Sequence, residues 1–165
     1  MSAASPRGQG LGLALALGLA GCLQMGAMRP LDGPNRLLEQ AGSSASEPAL
    51  AGPWLALIAS RNGRDQIQLI DLIRSAPVPL PALNRPDIQP LSVAIDAQGE
   101  RLLAVRQLEG RTELVLYRRS IQTLQPIMLM PPGVPRRLSL SADGKLAAVE
   151  VGRDGLWQID LIGLP

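Results

Sequence analysis

Histidine and phenylalanine are absent from this chain, and cysteine occurs once. The first absence excludes imidazole general-base chemistry and Cys/His metal clusters, and the lone thiol excludes an internal disulfide. Aromatic side chains are confined to Trp54, Trp157 and Tyr117, too few to build stacking platforms for nucleic-acid bases. An excess of one charge is missing as well. Sixteen Lys+Arg stand against fourteen Asp+Glu, giving +2, with no basic block long enough to follow a phosphate backbone. What is present is a chain of 165 residues, 46% apolar and 18% charged, which suits one folded domain and not a disordered segment. No metal, cofactor or nucleic-acid partner is expected.

The N-terminus reads as an address. Arg7 is the one charged side chain in residues 1–10, and residues 11–21, LGLALALGLAG, follow without a polar group. A helix of that length spans roughly 16 Å, about half of a bilayer's hydrocarbon core, so the run is too short for a permanent span and has the layout of an export signal. It closes on Leu19-Ala20-Gly21-Cys22. This tetrapeptide resembles the lipobox of bacterial lipoprotein signal peptides. The resemblance implies cleavage between Gly21 and Cys22, a diacylglycerol on the Cys22 thiol and usually a further acyl chain on the new amino terminus. Several acyl chains anchor stably where one holds only marginally. The expected product hangs from a membrane of the bacterial envelope and faces the periplasm. Leu23 replaces the Asp that retains many such proteins at the inner membrane, which favours the outer membrane. The competing reading is an ordinary apolar segment followed by a buried structural cysteine.

Residues 22–51 hold Gly, Pro, Ser, Ala and Asn without a sustained apolar period, and predict a lipidated N-terminus followed by a flexible tether. Gly42 to Ser46 is its clearest hinge, and Asn35 to Gln40 fits either a short helix or coil. From residue 52 onward short β-type runs alternate with turns: 54–60, 66–72, 91–95, 101–107, 113–119, 123–130, 136–141, 145–151 and 156–161. Prolines 77, 79, 81, 86 and 90 exclude a helix or a central strand across 77–90, and Pro126 marks 123–130 as an outer strand. No run reaches the length of a core helix. The expected class is all-β.

A repeat sharpens that expectation. Pro90 and Gly99 superpose on Pro135 and Gly144 with an offset of 45, ELVLYR falls on LWQIDL with an offset of 43, and 54–72 falls more weakly on 102–119. A period of this size fits a four-stranded propeller blade. Ser141-Ala142-Asp143-Gly144-Lys145, then LAAVEV and LWQIDL, resembles the blade motif of the TolB-like propeller family, related in architecture to WD40-like repeats. Asp96-Ala97-Gln98-Gly99 is a drifted copy. The resemblance covers roughly 54–161 and implies two clear blades and a partial, N-terminal one, a partial or open propeller of about three. A plain meander or sandwich is the alternative. Gly99 and Gly144 are expected at positive φ in blade turns, with Asp143 accepting backbone N–H groups there. Ala147 and Ala148 suit close packing, and Trp157 reads as part of a core strand.

Nothing in the domain reads as a catalytic centre. The carboxylates are scattered over turns and strand ends, and Asp71 and Asp160 read as one repeated structural position. Ser139 and Ser141 have no histidine partner and no nucleophile-elbow sequence. Arg118-Arg119 and Arg136-Arg137 fit either solvated strand ends or contacts to an acidic partner or anionic headgroups. Three blades do not close a ring, so apolar outer faces are expected near 54–72 and near 145–161. They are to be covered by the tether, by self-association or by a protein partner, unless the chain is a remnant. The expected role is a non-catalytic interaction or assembly module, with a glycan or small-ligand binding module as the alternative.

Overall fold

The computed structural model describes residues 1, 29–41 and 44–165, and the chain divides into two compact units, Met1–Pro30 and Leu31–Pro165. Leu19, Ala20, Gly21 and Cys22 lie outside the described residues. In the second unit, helix α1 (Asp32–Ala41) precedes three antiparallel sheets. The first holds β1 (Ser44–Ala51), β2 (Trp54–Arg61), β3 (Arg64–Asp71) and β4 (Ala76–Val78) in chain order. β5 (Ile88–Ile95), β6 (Arg101–Leu108), β7 (Arg111–Arg118) and β8 (Thr123–Ile127) form the second. The third has three strands, β9 (Val134–Leu140), β10 (Leu146–Arg153) and β11 (Leu156–Gly163), with β10 in the middle.

Each sheet is a meander built around the same hairpin. Asn62-Gly63, Glu109-Gly110 and Asp154-Gly155 all have positive φ at both residues, 53° and 73°, 50° and 76°, 50° and 78°. This is the type I′ turn, whose twist matches that of the strands it joins. The hairpins repeat at offsets of 47 and then 45 residues, close to the period read from the sequence. Alternating apolar residues bury both faces of the middle sheet. Val93, Ile95, Leu102, Ala104, Val115 and Tyr117 pack on Ala56, Ile58, Ile67 and Leu69 of the first sheet. Leu103, Val105, Leu114 and Leu116 pack on Ala147, Val149 and Val151 of the third. The fold is thus all-β, with three blade-like sheets stacked as an open, partial propeller. The prolines sit where a missing N–H is tolerated: Pro77 and Pro126 on the edge strands β4 and β8, and Pro90 at a bulge in the edge strand β5.

Several expectations change. Residues 44–51, read as tether, form β1, and the boundary expected at 52 falls inside the β1–β2 turn. Ser44, Ala45 and Ser46, read as hinge, pair with Ser60, Ala59 and Ile58. Their small side chains show no apolar period, but backbone pairing with β2 does not require one, and Ala49 and Ala51 still reach the core. Consequently the first blade is complete and the third is the one with three strands, the reverse of the expected order.

The outer face near 54–72 is covered from within residues 22–51, one of the outcomes expected for it. Leu37 and Leu38 of α1 pack, with Leu55 and Leu72, against Leu57, Ala59 and Ile70 on the first blade's outer face. Asp71 and Asp160 are not equivalent: Asp71 pairs with Trp54, the first residue of β2, whereas Asp160 pairs with Val149 in the middle of β10. Finally, Trp157 is exposed and lies outside the core.

Candidate interaction face

The blades are fastened to one another through their turns. Trp54 of the first blade lies against Gly99 in the β5–β6 turn of the second, where φ is 67° and an added Cβ would come within 2.3 Å of the indole. Arg119 completes the stack, its guanidinium 5.1 Å from the Trp54 ring centre and its Nε–H donating to the Gly99 carbonyl at 2.5 Å. The step repeats between the second and third blades. Arg101, at the position of Trp54, donates from Nη1 to the Gly144 carbonyl at 2.9 Å, with Gly144 at φ 70°. The Ala97 N–H donates to the Ala142 carbonyl at 2.9 Å. Leu146 holds the same position in the third blade, and it is exposed.

That exposure extends across one whole face of the third sheet. Register fixes which residues share it: Leu146 opposite Gly163, Ala148 opposite Leu161, Glu150 opposite Ile159, and Gly152 opposite Trp157. Since alternate residues of a strand share a face, Trp157, Ile159 and Leu161 form one apolar row, 54%, 66% and 70% exposed. The equivalent pairs in the other blades are Ile58 with Ile67 and Ala56 with Leu69, then Val105 with Leu114 and Leu103 with Leu116. All eight are buried, each set beneath the next blade. Contiguous apolar patches of several hundred Å² on a soluble protein mark contact surfaces.

Polar groups frame the row. The Trp157 ring lies over Gly152, where an added Cβ would meet it at 3.0 Å, and the Arg136 guanidinium stands 4.9 Å from its centre. Arg136 Nη1 also approaches Glu150 Oε1 at 3.8 Å. Arg137 is the cross-strand neighbour of Glu150 on β9 and is exposed. Of the two arginine doublets, this one borders the face. Arg118 and Arg119 are instead half-buried, Arg118 donating to the Pro165 carbonyl at 3.3 Å and Arg119 engaged with Trp54 and Gly99.

The opposite row of β11 is tied down. Arg153 donates to Asp160 from both terminal nitrogens, at 2.9 and 2.5 Å, and to the Pro131 carbonyl at 2.8 Å. This holds the 131–132 segment against the β10–β11 hairpin, and the hydrogen bonds from Arg153 keep the Asp160 carboxyl below the usual aspartate range. Asp143 stands in the β9–β10 turn, accepting from Ser141 Oγ at 2.5 Å and from the Lys145 N–H at 3.0 Å. The Ser141 bond is the main reason that its carboxyl also lies low.

Among the described residues no group of three or more His, Cys, Asp or Glu side chains could hold a metal. The arrangement can bury an apolar partner and match it with an arginine rim. The sequence pointed to this end of the chain but not to the row itself. Only the register places 157, 159 and 161 outward, and puts Leu156 in the opposite row.

No protein-family model and no curated protein matches the chain. Among solved structures it is similar to TolB from Acinetobacter baumannii, with a TM-score of 0.55 and 19% identity over 71% of this chain and 29% of that one. Hydrazine synthase from Kuenenia stuttgartiensis follows at a TM-score of 0.49, 18% identity, 74% of this chain and 34% of that one. The C-terminal WD40 domain of Sif2 stands at 0.46 and 11%, over 74% of this chain and 34% of that one. The chain therefore spans about a third of the length of these structures or less, and the likeness to TolB is one of fold.

Proposed function

We propose that this chain is a lipid-anchored protein of the bacterial envelope, facing the periplasm, whose blade stack is a non-catalytic module for protein contact through the open face of the third blade. One observation carries the contact reading. Leu161 and Ile159 occupy positions that are buried by a neighbouring blade everywhere else in the stack. The anchor rests on Leu19-Ala20-Gly21-Cys22, and Leu23 favours the outer membrane. Arg136 and Arg137 supply the rim for an acidic group on the partner.

The single cysteine makes the test direct. In the mature protein Cys22 is acylated, so an Ile159→Cys variant offers one free thiol on the face. Maleimide should label it at least tenfold more slowly in native membranes than in dilute detergent solution. Equal rates would sink the contact reading. For the anchor, Cys22→Ser should leave an uncleaved, unacylated precursor, and an intact mass showing a free Cys22 thiol in the membrane-derived protein would exclude it.

A further inference from the structure

We infer that the free edge of β11 takes up an extended segment of a second protein, which joins the third blade as its outermost strand; this rests on reading the third blade as the contact site. Prolines mark the other edges of the stack. Each sheet has two edge strands, β1 and β4, β5 and β8, β9 and β11. Five of these six carry a proline, Pro48, Pro77, Pro90, Pro126 and Pro135, and none of the five interior strands has one. Proline has no N–H, so at an edge it denies a donor to any further strand. Irregular register interrupts β1, β5 and β9 as well. β11 is the edge with neither device. Leu156–Gly163 pairs with β10 through eight unbroken positions, and its sequence is that of an interior strand.

The register shows which groups line that edge. The two-residue turn Asp154-Gly155 makes Arg153 and Leu156 a pair that exchanges hydrogen bonds, so Leu156, Gln158, Asp160 and Ile162 bond to β10, while Trp157, Ile159, Leu161 and Gly163 turn their N–H and C=O outward. In the other blades the equivalent groups are met. Ile67, the counterpart of Ile159, donates its N–H to Asn84 Oδ1 at 2.8 Å, and its carbonyl accepts from Asn84 Nδ2 at 2.7 Å, so a side-chain amide stands in for a strand. Leu69 pairs with Val78 of β4, and Leu114 and Leu116 pair with Ile127 and Gln125 of β8. Among the described residues no strand pairs with the outer edge of β11. A groove of about 470 Å³ lies there instead, lined by Met128, Leu129, Met130 and residues 159–163.

These features select the occupant. Alternating backbone donors and acceptors are matched by an extended peptide, with side chains left to set its specificity. Running antiparallel as β4 and β8 do, the segment places apolar residues opposite Leu161 and Ile159, as Val78 stands opposite Leu69 and Ile127 opposite Leu114. Met128 and Met130, both exposed, offer flexible thioethers that adapt to its other row. Every described strand of the chain already has its place in a sheet, and the apolar run 11–21 leaves with the signal in the anchor reading, so the segment is supplied by another polypeptide.

Hydrogen exchange, read residue by residue by mass spectrometry on the full chain in its own membranes and after extraction into dilute detergent, tests this. The amides of Ile159 and Leu161 should exchange at least tenfold more slowly in the membranes, while those of Gln158 and Asp160, bonded to β10 in both states, keep their rates. Equal slowing along 157–162, or unchanged rates, would overturn strand addition; the labelling of Ile159→Cys decides the face reading separately. A photoreactive benzoylphenylalanine at Met130 identifies the source of the segment. The expected product joins this chain to a different polypeptide, and Ile159→Pro should lower its yield at least tenfold where Ile159→Ala does not, both with an unchanged circular dichroism spectrum. Equal yields from the two variants would overturn the edge. A product holding peptides of this chain alone, or no product, would overturn the second protein.

Discussion

Leu116 and Leu161 stand at the same position of successive blades, opposite Leu103 and Ala148, yet Leu116 is fully buried and Leu161 is 70% exposed. The difference is made by what lies beyond each sheet, because the local strand geometry is the same. It predicts unequal costs for equal chemistry. Leu116→Ala should lose about 2–5 kcal/mol through lost burial and a cavity, whereas Leu161→Ala should cost under about 1 kcal/mol in the isolated monomer. Urea unfolding of the two variants at low protein concentration makes the comparison. Equal losses would mean that the third sheet's outer face is covered within the chain.

The turn glycines should likewise separate into two grades. Gly155 has φ 78° with no atom near an added Cβ, so Gly155→Ala should cost only the left-handed backbone penalty, about 1–2 kcal/mol. Gly99→Ala carries that penalty and also drives a methyl into the Trp54 indole. It should exceed Gly155→Ala by about 1–3 kcal/mol, the usual cost of overpacking. Quenching of Trp54 emission should change in Gly99→Ala alone.

Helix α1 acts as the cap of the first blade, so replacing Leu37 and Leu38 with Asp should expose Leu57 and Ile70 beneath it. The expected outcome is loss of stability by about 1–3 kcal/mol and the appearance of species larger than those of the wild type in sedimentation, because both ends of the stack are then apolar. A protein that stays at the wild-type size would show that the helix does not govern assembly.

The acid response follows from the aspartates. The carboxyls of Asp71, Asp143 and Asp160 lie below the ordinary value of about 3.9 through, first, the Arg74 backbone N–H, the Ser141 hydroxyl and the Arg153 guanidinium respectively. A depressed folded pKa adds stability above the unfolded value, and that stability is lost as pH falls through the folded one. The urea midpoint should be flat from about pH 7 to 5 and fall below about pH 4. Asp160→Asn should be less stable at neutral pH and lose less on acidification. At the other extreme, burial raises the Tyr117 phenol, so its contribution is present below about pH 10 and lost above it. Tyr117→Phe should remove that alkaline loss.

Strand runs, hairpin turns and the blade period were legible in residues 54–161, because two-residue turns and alternating apolar residues are local signals. The Gly144 turn could be read from Ser141-Ala142-Asp143-Gly144 alone. The edge strand β1 of the first blade was not legible, since Ser44–Ala51 is held by backbone pairing to β2 and its small side chains leave no pattern. Asp71 and Asp160 are three positions out of register because they stand eight and five residues after their hairpin glycines, Gly63 and Gly155, so the shared Asp-Leu ending is not a shared position.

The chain itself determined the chemistry that is missing, the all-β class, the repeat, and the Leu19-Ala20-Gly21-Cys22 motif, all of which depend on residue type and short spacing. Only the tertiary structure decided which faces are covered. Leu37 and Leu38 meet the first blade across 17 or more residues of chain, while Trp157, Ile159 and Leu161 meet nothing described. Burial is a property of neighbours brought together from distant segments, and the same alternating strand sequence serves equally for a core face and for a docking face.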